Sequence, residues 1–249
     1  MKIGEREIGT GFPVFVIAEA GINAGDSLEL SKQFVNVAKE SGCDCVKFQT
    51  FLSMKERPFK TISYEETILL KKYCDEKEII FMSTPHSLSA IDFLYPLVPA
   101  YKIASPHITN EYFVKKIRIK RKPVIASTGS ITQQNKKASE YEINTFLNTM
   151  GRNHDLALLY CVSEYPCSNF DLEDFKDFLE IYGTYPVGYS SHSKDISYSM
   201  VSVENGASIV EQHITLGDDF DCVDKHVSLN PDELSELVEK IREFENVDS

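Results

Sequence analysis

Two short apolar segments of this sequence, PVGYSSH and ASIVEQHIT, carry a histidine at their ends, His192 and His213, with one helix's length of chain between them. If residues 187–189 and 208–210 are neighbouring parallel strands, Ser190, His192 and His213 emerge together at their carboxyl ends, where parallel sheets keep their open sites. Two imidazoles meeting there can hold a divalent metal. Either histidine alone reads as a half-buried polar group near a strand end, but their matched positions at successive strand ends favour a metal. A second pair is cationic: Lys47 sits inside VKFQT and Lys102 inside YKIAS, where strand alternation turns every other side chain inward. A lysine facing a barrel interior is costly unless an anion pairs with it; the blander alternative is two lysines snorkelling to solvent. With the hydroxyls of Thr84, Ser105 and Ser127 nearby, the expected anion is a phosphate, or a phosphate plus a carboxylate.

The elements that must position these groups repeat regularly. VFVIAEA ends in Glu19 and is followed by a helical pattern over 27–41, capped by Asp26 or Ser27. The cycle continues with DCVKFQT and a helix over 64–76, EIIFMST and 87–95, AYKIAS and 110–120, PVIAST and about 132–149. It ends with LALLYC and 171–182, PVGYS and 195–205, and ASIVEQH and 231–244. Eight strand-helix units with near-continuous apolar strands predict an α/β fold, a single (β/α)8 TIM barrel over residues 1–249, with the first dozen residues forming a β-hairpin that closes its bottom. The strand ends are nearly all polar: Glu19, Lys47 and Gln49, Thr84, Lys102 and Ser105, Ser127, Ser163, Ser190 and His192, then His213. The longest pieces without a pattern, 51–63 and 215–230, follow strands and so fall on the same face, where long loops serve binding.

Composition limits the function classes. A formal charge of −12 over 249 residues excludes nucleic acid as the default partner, so an anionic substrate must be drawn in by a local basic site. The six cysteines form no C-x2-C pair and read as reduced, mostly buried thiols. No apolar run approaches the ~18 residues of a membrane span and no signal-peptide pattern opens the chain. A cytoplasmic protein without a membrane partner is expected.

FVIAEAGIN, VKFQTF, FMSTP, AYKIAS, ASTG, LLYCVSEYP, GYSSHS, EQHIT and the segment from Asp224 through SLNPDEL, in that order, resemble the sialic acid synthase family, the phosphoenolpyruvate-dependent nonulosonate synthases. The resemblance spans essentially the whole chain. It implies condensation of phosphoenolpyruvate with a sugar aldehyde to give a 2-keto sugar acid and phosphate. It further implies a divalent metal on His192 and His213, Mn2+ first and Mg2+ or Co2+ as the other candidates, and a homodimer. By matching motif, Lys47, Gln49, Thr84, Lys102, Ser105, Ser127, Ser163 and Ser190 hold phosphoenolpyruvate, Glu19 moves a proton or orients water, and Tyr165 and Asp224 border the sugar. There are departures: Pro106-His107 stand where the family has glycine and a sugar-binding acid, Ala24-Gly25 replace His-Asn, and Ser191 replaces an aspartate. The loop after KFQTF is short, and the family's carboxyl-terminal antifreeze-like domain is not expected within these residues. An acceptor other than N-acetylmannosamine follows, smaller or negatively charged, contacted by His107. Two other classes compete: a pyruvate-dependent aldolase forming an imine on Lys47 or Lys102, and a non-catalytic binding or regulatory barrel.

Overall fold

Helix starts in this chain are written in side chains that can accept from free backbone N–H groups. Ser27, Ser87, Asn110, Asp171 and Asp195 each accept from the first turn of the helix that follows, and Ser63 with Glu66 closes a reciprocal capping box, each cap worth about 1 kcal/mol. The structure, a computed structural model, describes residues 1–51, 61–129, 136–151, 155–168 and 170–247. Following the caps, α1 (Leu28–Glu40), α2 (Tyr64–Glu76), α3 (Leu88–Leu94) and α4 (Glu111–Arg118) begin within one residue of the expected positions. So do α6 (Leu172–Tyr182), α7 (Ile196–Glu204) and α8 (Pro231–Val247). The helix α5 spans Lys136–Met150; the expected start near 132 lies outside the described residues, as does most of the loop after Phe51.

Two two-residue strands, β1 (Lys2–Ile3) and β2 (Arg6–Glu7), pair antiparallel as the hairpin. The eight parallel strands are β3 (Phe15–Gly21), β4 (Cys45–Thr50), β5 (Ile80–Pro85), β6 (Tyr101–Ile103), β7 (Val124–Ser127), β8 (Leu156–Cys161), β9 (Val187–Ser191) and β10 (Ile209–His213). Their order is β5-β4-β3-β10-β9-β8-β7-β6, and the two ends of that order, β5 and β6, lie against each other. This is the (β/α)8 barrel.

Alternation divides each strand between two cores. Side chains facing out, among them Val16, Val46, Phe81, Leu158 and Val210, pack under the helices. Those facing in at the lower end, including Phe15, Ile17, Cys45, Met82, Ile125, Leu159 and Ile209, fill the barrel together with Ile3 and Ile8 from the hairpin segment. The barrel floor is therefore apolar and sealed, each fully buried large aliphatic contributing about 1.5–3 kcal/mol. Above that layer the inward positions become Glu19, Lys47, Lys102 and Glu211, all buried. A packed floor with charge above it leaves one face, the carboxyl ends of the strands, for chemistry. All six cysteines are free, and all but Cys222 are buried.

Candidate active site

Register brings the charged groups together. Glu19 on β3 stands opposite Lys47 on β4 and His213 on β10, Gln49 stands opposite Thr84 on β5, and Glu211 on β10 stands opposite Ser190 on β9. The lysines do face inward, and their immediate partners are carboxylates of the chain itself. Lys47 Nζ lies 2.5 Å from Glu19 Oε2 and 3.6 Å from Glu211 Oε2, and donates to Thr84 Oγ1 at 3.2 Å. Lys102 Nζ lies 3.0 Å from Glu211 Oε1, which also accepts from Ser190 Oγ at 3.0 Å. Four ionisable groups thus form one buried layer, and Glu211 joins both lysines.

The layer sorts its protons. Burial pulls the Glu211 carboxyl up, but Lys102 and Lys47 outweigh it and hold it at about 2. Burial pushes Glu19 up to about 7, with Lys47 opposing and Glu211 adding to the rise. Lys47 is driven down by burial and up, with a net rise, by Glu19 and Glu211. Lys102 is lowered by burial despite Glu211. Glu19 is consequently the member poised to exchange a proton near neutral pH.

A cavity of about 320 Å3 opens above this layer. It is lined by Glu19, Lys47, Gln49, Thr84, Lys102, Ser105, Ser127, Ser163, Tyr165, Ser190, His192, His213 and Asp224, so one concavity gathers every expected site residue except His107. His107 is turned away: its ring stacks on Phe113 with centroids 4.4 Å apart, and its Nε2 lies 3.3 Å from Nδ1 of His86. It is His86 that lines the cavity, a correction to the expectation that His107 touches the acceptor. The cause is local: the short 3-10 turn Ser105–His107 carries the imidazole back over α4.

The opposite wall holds the histidines. His192 Nδ1 lies 2.7 Å from Val162 O, so this nitrogen carries the proton and Nε2 is left as an acceptor, taken here by the Tyr165 hydroxyl at 2.8 Å. The Tyr165 ring stacks on His192 at 4.1 Å between centroids. The His192 and His213 rings are 5.4 Å apart, and the buried His213 Nδ1 has no hydrogen bond among the described residues, with Asp224 Oδ2 at 3.6 Å. Asp224 is held by Asn23, whose side-chain oxygen accepts from the Asp224 backbone N–H at 2.9 Å and whose amide donates to Ile214 O and Ser228 Oγ. Burial lowers the pKa of both imidazoles, His213 well below its ordinary value, so both are neutral, the form that binds metal. Among the described residues no group of three or more His, Cys, Asp or Glu side chains is arranged to hold an ion. Two neutral imidazoles lining one cavity are a donor pair that would suit a divalent ion.

Sequence reasoning missed Glu211 and His86. Glu211 lies two residues before His213 on the same strand, and the period of two puts both on one face; that signal was available. His86 follows the last residue of β5, in the same strand-end position as the residues that were singled out.

A sequence model described as the NeuB family matches residues 53–249. The chain belongs to the NeuB family. It is 32% identical over 274 residues to the N,N'-diacetyllegionaminic acid synthase of Legionella pneumophila, covering 98% of this chain and 76% of that one. It is 31% identical to the human N-acetylneuraminate-9-phosphate synthase, covering 95% and 72%. The crystal structure of the N-acetylneuraminic acid synthetase from Leptospira borgpetersenii, in complex with citrate, superposes with a TM-score of 0.88 at 30% identity, over 99% of this chain and 89% of that one. Membership in the NeuB family makes this chain a synthase-type enzyme.

Proposed function

We propose that this chain is a phosphoenolpyruvate-dependent sugar-acid synthase. The observation that carries the reading is the buried layer of Lys47, Lys102, Glu19 and Glu211 at the floor of one strand-end cavity, in a chain whose relatives are named sialic and legionaminic acid synthases. Phosphoenolpyruvate supplies its C3 as the nucleophile toward the carbon of a sugar aldehyde. Water adds at C2, and phosphate leaves with cleavage of the C2–O bond, giving a 2-keto sugar acid. Lys47 and Lys102, with Gln49, Thr84, Ser105, Ser127, Ser163 and Ser190, bind the carboxylate and phosphate of this substrate. Glu19 handles the proton of the adding water; Tyr165 and Asp224 face the sugar. His192 and His213 would hold a divalent ion, Mn2+ first and Mg2+ or Co2+ next, which when bound supplies Lewis-acid polarisation of the aldehyde oxygen.

Lys47, held protonated by two carboxylates, is a poor imine-forming amine, so the pyruvate-aldolase alternative stands on Lys102, which burial lowers. The decisive measurement is phosphate release from phosphoenolpyruvate with an aldose and Mn2+, beside borohydride reduction in the presence of pyruvate. Release without a trapped lysine adduct supports the synthase; a trapped adduct sinks it, and neither activity points to a non-catalytic barrel. Homodimerisation belongs to the proposal and is read by light scattering in solution. So does a cytoplasmic location; among the described residues no helix is long and apolar enough to cross a membrane.

A further inference from the structure

Asp224 lines the cavity from the loop that joins β10 to α8 rather than from a strand end. That loop is closed at its base by the backbone, Leu229 N–H donating to His213 O at 2.9 Å and Thr215 N–H to Leu229 O at 2.8 Å. Between those ends Asp224 is placed by Asn23, which follows β3 and is only 4% exposed. Among the described residues the three side-chain hydrogen bonds of Asn23 all go to this one segment. Its Oδ1 accepts from Asp224 N–H at 2.9 Å, and its Nδ2 donates to Ile214 O at 3.0 Å and to Ser228 Oγ at 3.2 Å. The amide cannot be turned over, because a backbone N–H only donates and a carbonyl only accepts. Ser228 Oγ in turn donates to Asp224 O at 2.7 Å. One ring of hydrogen bonds therefore holds both backbone polar groups of Asp224, while its carboxylate, with the side chain still 16% exposed, reaches to 3.6 Å from His213 Nδ1 on the cavity wall.

We infer that Asn23 is a positioning residue for the acceptor: it sets the place of Asp224, and through Asp224 the affinity for the sugar aldehyde, without touching either substrate. This rests on the synthase reading, in which Asp224 borders the sugar. Asn23 itself is not among the residues that line the cavity. Without its amide the Asp224 N–H loses its acceptor and Ser228 Oγ loses a donor, and a buried polar group left unpaired is costly enough to move the loop that carries it. A displacement of about 1 Å at a contacting carboxylate is enough to forfeit its hydrogen bond to a substrate. Lys47 and Lys102, which would take the phosphoenolpyruvate, are held by a separate network of Glu19, Glu211 and Thr84. Loss of Asn23 therefore acts on the acceptor and spares phosphoenolpyruvate.

The test is a double-mutant cycle read in steady-state phosphate release from phosphoenolpyruvate with Mn2+. The acceptor is whichever of mannose, N-acetylmannosamine, their 6-phosphates and arabinose 5-phosphate the wild type turns over best. Asn23→Ala should raise KM for that aldose about tenfold, the scale of one lost hydrogen bond, with a smaller change in kcat. The calorimetric Kd for phosphoenolpyruvate should stay within about twofold, which also reports a folded site. In an Asp224→Ala background the same substitution should add nothing further to the aldose KM, because the two residues act as one. A merely structural role would raise KM equally in both backgrounds and weaken phosphoenolpyruvate as well. For a variant too slow to assay, the calorimetric Kd for the alditol of that aldose, which lacks the reacting carbonyl, replaces KM. If Asn23→Ala does not fold, Ser228→Ala, which removes the donor to Asp224 O and one partner of the Asn23 amide, takes its place in the cycle. An unchanged aldose KM, or a rise of the same size with and without Asp224, overturns the inference and leaves the synthase reading standing. No release from the wild type with any aldose, while phosphoenolpyruvate still binds, overturns the synthase reading and the inference with it.

Discussion

Replacing Glu211 by Gln keeps its shape and its capacity to accept from Ser190 but removes the charge that joins Lys47 and Lys102. The carboxyl sits at about 2 against an ordinary 4.5, and at about 1.4 kcal/mol per tenfold in proton affinity that difference is worth ~3 kcal/mol. Loss of one partner from a buried ion pair costs about 3–5 kcal/mol, so two routes agree. In urea titrations with chelator present, the variant should be ~3 kcal/mol less stable at pH 7, or lower in Tm by roughly 6–12 °C. The pH dependence has a definite sign. Because the folded pKa is depressed, the stabilisation is fully present above pH 4.5 and is lost as pH falls through about 2, so the gap between wild type and variant should be flat from pH 8 to 5 and close below that. A gap under about 1 kcal/mol at pH 7, or one that persists undiminished at the lowest pH, would refute the account of Glu211 as the charge that carries both lysines.

Lys102→Met or Lys47→Met should weaken phosphoenolpyruvate binding by roughly 1.5–3 kcal/mol if each makes one charge-assisted hydrogen bond; calorimetry showing unchanged affinity in both would move the anion elsewhere. His213→Ala should lose bound Mn2+ and turnover while its thermal unfolding stays near wild type, and retention of metal would remove His213 from the ligand set. Tyr165→Phe should bind Mn2+ more tightly, by about fivefold, because it frees the His192 nitrogen that the Tyr165 hydroxyl occupies at 2.8 Å; equal or weaker binding by calorimetry contradicts that competition. The kcat/KM profile of the wild type should bend near pH 7 through Glu19, and Glu19→Gln should lack this limb; a variant that keeps it assigns the titration to another group.

The barrel was legible because both its signals are local. Strand runs ending in polar residues and a cap such as Ser27 mark the elements without knowledge of their partners. Lys47 and Lys102 could be turned inward by alternation alone. What compensates them could not be read that way, since Glu211 lies 109 residues from Lys102 along the chain and only the strand order makes them neighbours. The same limit explains His107. Its place after KIAS was visible, but the 3-10 turn that swings it onto Phe113 depends on α4 being packed alongside.

The pairing of Glu19 with His213 across β3 and β10 lies on the seam where the first barrel strand meets the last. A nascent chain that has emerged only through β9 already contains Lys47, Lys102 and Glu19 but not Glu211, so two cations of the future interior would share one carboxylate. Collapse around that imbalance is disfavoured, and contacts of such large sequence separation form slowly. The carboxylate shared by both lysines thus arrives with the last strand in chain order, so closing the barrel at this seam and balancing the charge of its upper layer are a single step.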